Sequence, residues 1–302
     1  MNAPATVVNA DRELLREAAD TFWRDVWKRF RRNKVAMICL ILVAAIILVS
    51  IFAKLLAPYG FDEQFVGPIT EGPSKKFWFG TDNLGRDLFS RIVYGAQISM
   101  RLAVLVTLGT LVVSVVLGTL SGWFGGWFDS VLMRVADIFI ATPYIAMALA
   151  FVTVFGRSIW VIAIFSVIRQ FPGSARGQRA LILQYKNADY IEAARAAGAN
   201  TRRILWNHLL PNTFPQIVAG LGQSIGVAIL NESAYSFLNV GFQEPTPSWG
   251  RLIADSRIAT TSPDLVHLFI FPTLAFVITI TAFLFVSEGL RDAADPKLRG
   301  AR

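Results

Sequence analysis

The chain has 302 residues, 54% of them hydrophobic and only 17% charged, with a formal net charge of +8. A soluble domain is about 45–50% apolar and about 25% charged, so this composition excludes an ordinary soluble domain and points to a membrane. The positive charge would suit nucleic acid as well, but basic residues collect in the cytoplasmic loops of membrane proteins, and no nucleic-acid partner is expected.

Taken in chain order, residues 1–34 are mostly polar and basic. Within RELLREAADTFWRDVWKRFRRNK, the residues Leu14, Leu15, Ala18, Phe22, Val26 and Phe30 recur near helical spacing, with Trp23 and Trp27 among them. This pattern predicts a basic amphipathic helix lying along the lipid headgroups; a solvated helix or an unstructured tail is the plainer alternative. The apolar run that follows is too long for a signal-peptide core, so no cleaved signal is expected. Cys39 is the only cysteine, which rules out an intrachain disulfide.

A helix needs about 20 residues to cross the hydrocarbon core. Six candidate spans follow: residues 35–52, 99–122, 131–155, an irregular one from 158 toward 183, 214–237 and 266–287. The expected fold is therefore an all-α integral membrane protein with six transmembrane helices and both termini on one side. Of the 29 Lys and Arg, 20 fall in residues 1–34, the turn between spans 2 and 3, the loop between spans 4 and 5 and the C-terminus, counted together with the adjoining span ends that hold Arg134, Arg169, Arg176 and Arg179. That excess predicts cytoplasmic termini. The chain then divides into a cytoplasmic or interfacial segment 1–34, a first span with its outer segment 35–98, a five-span core 99–288 and a tail 289–302. The core includes a cytoplasmic loop 184–213 and an outer segment 240–265. Trp123, Trp127 and Trp160 fall near span ends, where aromatic belts sit.

Polar residues inside spans are the first place to look for function. Span 5 carries Gln223, Asn231 and Glu232. Glu232 falls near the outer end of that span, where it lines a polar path or simply reaches the headgroups. Arg169 and Arg176 in span 4 are further path candidates, with snorkelling to the inner surface as the alternative. The pairs Gly118/Gly122 and Gly222/Gly226 are spaced for close helix packing.

The stretch DYIEAARAAGANTRRILWNHLLPN, residues 189–212, is polar and punctuated for helix between two apolar runs. Asp189 with Glu192 three residues on is a capping-box-like start. Gly198 is a natural helix terminator, Asn200 or Thr201 can cap a second helix, and Pro211 is expected to end it. Tyr190, Ala194 and Ala197 share a face, with Ala193 beside them. That small-residue face suits close docking of another protein, though a plain structured loop fits the periodicity equally.

These residues resemble the cytoplasmic "EAA" loop of permease subunits in bacterial ATP-binding-cassette importers. Glu192-Ala193-Ala194, Gly198 and Leu210-Pro211 stand at the family's spacing, with His208 replacing the usual Ile. FGTDNLGRDLFSRIVYGAQISMRL (79–102), SFLNVGFQEPTPSWGRLIAD (236–255) and GLRDAADPKLR (289–299) are similar to segments of dipeptide and oligopeptide permeases. The N-terminal tail resembles that of the second, "C"-type, subunit of a permease pair. The resemblance implies half of a translocation path, a second permease subunit as heterodimer partner and two cytoplasmic ATPases, which bind the ATP and magnesium. It also implies an extracytoplasmic binding protein and a bacterial cytoplasmic membrane. ATPase coupling would fall to Tyr190, Glu192, Ala193, Ala194, Gly198, Leu210 and Pro211. Path or gate lining would fall to Gln223, Asn231, Glu232 and Arg169, and binding-protein docking to Asp82, Asn83, Arg86, Asp87 and Trp249. Peptides are the expected cargo, with nickel chelates, opines or oligosaccharides as alternatives.

The chain contains no Gly-Lys dipeptide, so it cannot supply a standard phosphate loop, and no cofactor or metal is expected in it. DNLGRD lacks the alternation of a calcium loop; turn formation and docking fit it better. A self-sufficient secondary transporter or channel would show internal repeats or mid-membrane charges, and only the irregular fourth span suggests one. No nucleophile–base pair or His/Glu metal motif supports an intramembrane enzyme.

Overall fold

The structure, a computed structural model, describes residues 23–260 and 262–295. Within them the regular secondary structure is helical, residues 57–87 are irregular, and the β-bridge between Thr81 and Asp87 is isolated. Asn33 opens α1 (Lys34–Ile51), its side-chain oxygen accepting the Ala36 amide at 3.1 Å. Large apolar side chains of this helix face outward: Ile38, Ile41, Leu48 and Ile51 are 54–64% exposed. A chain crossing lipid must satisfy its backbone internally while presenting an apolar exterior.

Asp87 caps α2 (Leu88–Phe124), its carboxylate accepting the Ser90 amide at 2.8 Å. At 37 residues α2 begins well before the expected span start at 99, because Asp87 supplies a cap where hydropathy alone shows only polar chain. The third expected span is broken. It forms α3 (Gly126–Ala141) and α4 (Tyr144–Phe155), which meet at 94°. Pro143 lacks an N–H and disfavours helical geometry in the residue before it, and Thr142 is extended, with φ −76° and ψ 132°. α5 (Ile159–Tyr185) carries Pro172 within it. After α6 (Asp189–Ala196), Thr201–Arg203 and a wide π turn, Ile204–Leu209, run into α7 (Leu210–Phe237). The short α8 (Trp249–Asp255) precedes α9 (His267–Ala294).

Among the described residues, four helical stretches are long and apolar enough to cross a membrane, or five if α3 and α4 make one broken span. The six expected spans are thus reduced by that measure. α5 falls outside it because Arg169, Gln170, Arg176 and Arg179 dilute its apolar run.

Glycine contacts fix the directions of the helices. A methyl group on Gly109 would lie 2.7 Å from Val167, one on Gly118 2.6 Å from the Ala175 carbonyl, and one on Gly122 2.8 Å from Ile182. Both sets of numbers rise together, so α2 and α5 run parallel. α3 and α4 must therefore return the chain from one end of the bundle to the other. Gly222 meets the Phe283 carbonyl, while Gly226 lies near Ile280 and Leu284, so α7 and α9 run antiparallel. Gly289 abuts Ala36 and Phe30, which puts the start of α1 beside the end of α9.

Helical residues 23–30 pack against that end. Val26 and Phe30 are buried with Ala36, Ala293 and Ala294, and Trp23 meets Phe214 edge-on. This segment rests on protein as well as presenting Trp27, 47% exposed, outward. Leu14, Leu15, Ala18 and Phe22 lie outside the described residues, as do residues 296–302 of the tail.

The contacts separate two kinds of glycine. Gly118→Ala forces a methyl against a backbone carbonyl and is expected to lower the thermal unfolding midpoint of the detergent-purified protein. Gly226→Ala has 3.7 Å of room and should leave it unchanged or raise it, since alanine is the better helix former. Equal effects would contradict this packing.

Candidate functional site

One end of the bundle, where α2 closes and α6 begins, is built around Trp123. Its side chain is 8% exposed, whereas Trp127 (79%) and Trp160 (62%) stand at the surface. Trp123 clusters with Ile182, Ile191, Ile204 and Leu209. The Lys186 ammonium and the Arg195 guanidinium lie 5.6 Å and 5.2 Å from its ring, and the ammonium also donates to the Trp123 carbonyl. A cation on an aromatic face is held electrostatically, so one indole fastens both ends of the segment carrying α6.

α6 itself departs from the expected start. Its N-cap is Ala188, with no side-chain cap. Asp189 and Glu192 instead occupy the first turn, where negative charge favours the helix N-terminus. The termination is as expected in position. Gly198 has φ +80°, its N–H donates to the Arg195 carbonyl at 2.9 Å, and the Ala199 N–H donates to the Ala194 carbonyl at 3.0 Å. This is a Schellman closure, which glycine adopts with little strain. Asn200 caps the next turn, accepting the Arg203 amide at 2.9 Å.

Pro211 does not end the second helix; it lies in the first turn of α7. The wide turn before it keeps the chain helical where the proline lacks an N–H and its ring crowds the preceding turn. Tyr190, Glu192, Ala193, Gly198 and Pro211 are exposed, and Ala194 and Leu210 are part-buried. A cleft of about 500 Å³ beside them is lined by Asn200, Arg202, Arg203, Trp206 and Asn207.

The opposite end of the bundle is an ionic junction. Arg86 and Arg91, each 1% exposed, lie between Asp82 and Glu244. Arg86 Nε donates to Asp82 at 2.7 Å, and each guanidinium reaches Glu244 Oε1 at 3.1 Å. The junction ties residues 82–91 to the second outer segment. Trp249 adds a second tie, its indole N–H donating to the Ile92 carbonyl and its amide to Ser99 Oγ, both at 3.2 Å. Of the five residues expected to dock a partner, Asp82, Arg86, Asp87 and Trp249 are buried, and only Asn83 is exposed. The other four are satisfied within the chain: Asp82 and Arg86 by charge pairing, Asp87 as the cap of α2 and Trp249 by its indole hydrogen bond.

Glu232 is likewise enclosed. It is 1% exposed, and the Ser236 and Ser248 hydroxyls each donate to its Oε1 at 2.6 Å. Through Ser248 it ties α7 to the segment just before α8. Gln223 is exposed, and Asn231 and Arg169 are part-buried. The structure does not bring these three into contact with Glu232. Sequence reasoning missed Glu244, Arg91 and Asp255, whose partners lie up to 158 positions away.

Residues 114–300 match the family model of the binding-protein-dependent transport system inner membrane component. The chain belongs to that family. Residues 21–73 match a second model, the N-terminal transmembrane domain of oligopeptide transport permease C. The glutathione transport system permease protein GsiD of Escherichia coli O157:H7 is 39% identical over 298 residues, covering 97% of each chain. The dipeptide transport system permease protein DppC of Alkalihalophilus pseudofirmus is 36% identical over 277 residues, covering 92% of this chain and 90% of that one. The protein is accordingly a multi-pass inner-membrane permease subunit of a binding-protein-dependent, ATP-driven importer and not a catalytic enzyme.

Two carboxyls of this permease meet at the ionic junction. Burial and the neighbouring Glu244 push Asp255 up to about 6, against the opposing charge of Arg251, 2.8 Å away. Burial also pushes Glu244 up, but the Arg86 hydrogen bond and the Arg91 and Arg86 charges outweigh it and hold it at about 2. A carboxyl that binds its proton more tightly when folded stabilises the fold at low pH and loses that contribution as pH rises through its folded value. Asp255 is such a group. Glu244 is the reverse, and its contribution is lost only as pH falls below the ordinary glutamate range toward about 2. Lowering the pH from about 7.5 to about 5 should therefore stabilise wild type more than Asp255→Asn. Equal responses of the two unfolding midpoints would contradict the assignment.

Proposed function

We propose that this chain crosses the membrane six times with both termini in the cytoplasm, and that its hairpin at residues 184–213 couples a pair of ATPases to a peptide path. The parallel run of α2 and α5, together with the antiparallel run of α7 and α9, supports six passages, with α3 and α4 as one broken crossing. The excess of Lys and Arg at the end carrying residues 23–34 and the hairpin supports the orientation.

The observation that carries the coupling reading is the hairpin's geometry. Its outer face is small and exposed at Ala193 and Gly198, while its inner face, at Ile191 and Ile204, is locked beneath Trp123. A knob with a shallow face and a rigid root suits seating in another protein's groove. Tyr190, Glu192, Ala193, Ala194, Gly198, Leu210 and Pro211 form or support that face.

The second half of the knob is continuous with a span. Thr201–Phe237 runs 37 residues, roughly 55 Å of helix. Near its far end Glu232 grips Ser248 of the outer segment. Movement of the hairpin on ATP-driven closure would thus reach the outer segment along one helix. In this reading a second permease subunit completes the path, with Arg169, Gln223 and Asn231 facing it, and an external binding protein meets the outer segments. Because relatives are named for dipeptide and glutathione transport, a short peptide is the cargo this reading favours.

Gly198 tests the reading. Nothing lies within 4 Å of a methyl placed there, so a side chain is opposed by φ +80° and not by collision. Gly198→Val, β-branched and ill-suited to positive φ, should abolish ATP-driven uptake while leaving the chain in the membrane; Gly198→Asn should retain most of it. Wild-type uptake by Gly198→Val would overturn the coupling role.

A further inference from the structure

The break between α3 and α4 leaves a helix start at the surface of this chain, with Pro143, Ile145 and Ala146 exposed. α4 begins at Tyr144 behind Pro143, and no side chain caps it. The amides of its first turn have no intrahelical acceptor, and the helix dipole adds partial positive charge there. Beside this start stands Arg169, ten positions into α5, roughly 15 Å from its outer end. Its guanidinium lies 6.0 Å from the Tyr144 ring.

The other two arginines of α5 have carboxylate partners: Arg176 pairs with Asp137, and Arg179 with Asp129. Among the described residues no carboxylate pairs with Arg169. An arginine at this depth without a counter-ion is costly and faces a partner or an aqueous path.

A third group points the same way. Tyr235, from α7, is 3% exposed, with its ring 6.4 Å from that of Tyr144. Its buried hydroxyl has Ser166 nearby but makes no hydrogen bond of good geometry, and it lies within electrostatic reach of Arg169 and Tyr144. A guanidinium, free helix amides and a phenol hydroxyl are together a set of donors with net positive potential. That set rejects cations and fits a planar oxyanion.

We propose that Arg169, the N-terminus of α4 and Tyr235 form a station for the free carboxylate of the solute in transit. The inference rests on the path assignment above and narrows the cargo to solutes that carry a carboxylate.

The test uses the assembled importer in nanodiscs without its binding protein, which would impose its own selectivity. Dialanine and its C-terminal amide serve as probes, and binding is read by saturation-transfer NMR. Wild type should bind the free acid at least about tenfold more tightly than the amide, a difference of about 1.4 kcal/mol. Arg169→Gln should abolish that preference, Arg169→Lys should keep part of it, and Tyr235→Phe should reduce it several-fold. Equal binding of the two probes by wild type overturns the proposal, as does an unchanged preference in Arg169→Gln. Where Arg169→Gln does not assemble, an unchanged preference in Tyr235→Phe overturns it. Uptake driven by ATP, measured with the binding protein added back, separates the two levels. A wild-type complex that takes up neither probe contradicts the permease path itself. Intact uptake without carboxylate preference removes only the station.

Discussion

A backbone that crosses lipid finds no water for its amides and carbonyls, and the rest of this structure depends on that constraint. It makes the described chain helical from end to end of the bundle and turns isoleucines and leucines outward. It also confines unpaired backbone to places where protein or solvent can meet it. The break at Thr142 and Pro143 is the informative exception. A helix interrupted between α3 and α4 leaves amides that something must satisfy, and Arg169 beside Tyr144 is a donor as well.

The same constraint sends the polar work to the two ends. At one end, two buried guanidiniums and two carboxylates fasten segments far apart in sequence. Removing one member of such a set would leave a buried charge uncompensated, which costs far more than an exposed pair contributes. At the other end the fastening is aromatic: one buried tryptophan under two cations and a cluster of isoleucines. The helix from Thr201 to Phe237 joins the two ends, so neither is mechanically independent of the other.

Much of this is legible in the amino-acid sequence itself. The apolar run after Asn33 can be nothing but a span, and Gly198 announces a helix end that its positive φ bears out. Elsewhere local rules are overridden by neighbours. Asp189 with Glu192 has the letters of a capping box, yet Ala188 is the cap, because the boundary is set by how Ile191 packs beneath Trp123. Pro211 has the look of a terminator and sits inside a continuous helix, since a wide turn precedes it. Pro143 is the opposite case, a break hidden in a strongly apolar run. Glu232 draws attention as an intramembrane acid, but serine hydroxyls from its own helix and from the outer segment enclose it. The ionic junction is invisible in sequence because Arg86 and Glu244 are far apart in the chain. Nothing in either motif shows that they meet.

The central claim is that the exposed face of the hairpin is seated in an ATPase. The most direct test places a cysteine at Ala193 in a background where the buried native cysteine, Cys39, is replaced by serine, and couples it to the co-expressed ATPases with a short bifunctional reagent in native membranes. The account predicts a cross-linked permease–ATPase product whose yield changes between nucleotide-free and ATP-bound states, with little product from a cysteine at buried Ile191. Absence of any ATPase adduct from position 193, in membranes that still carry out ATP-driven uptake, would contradict it.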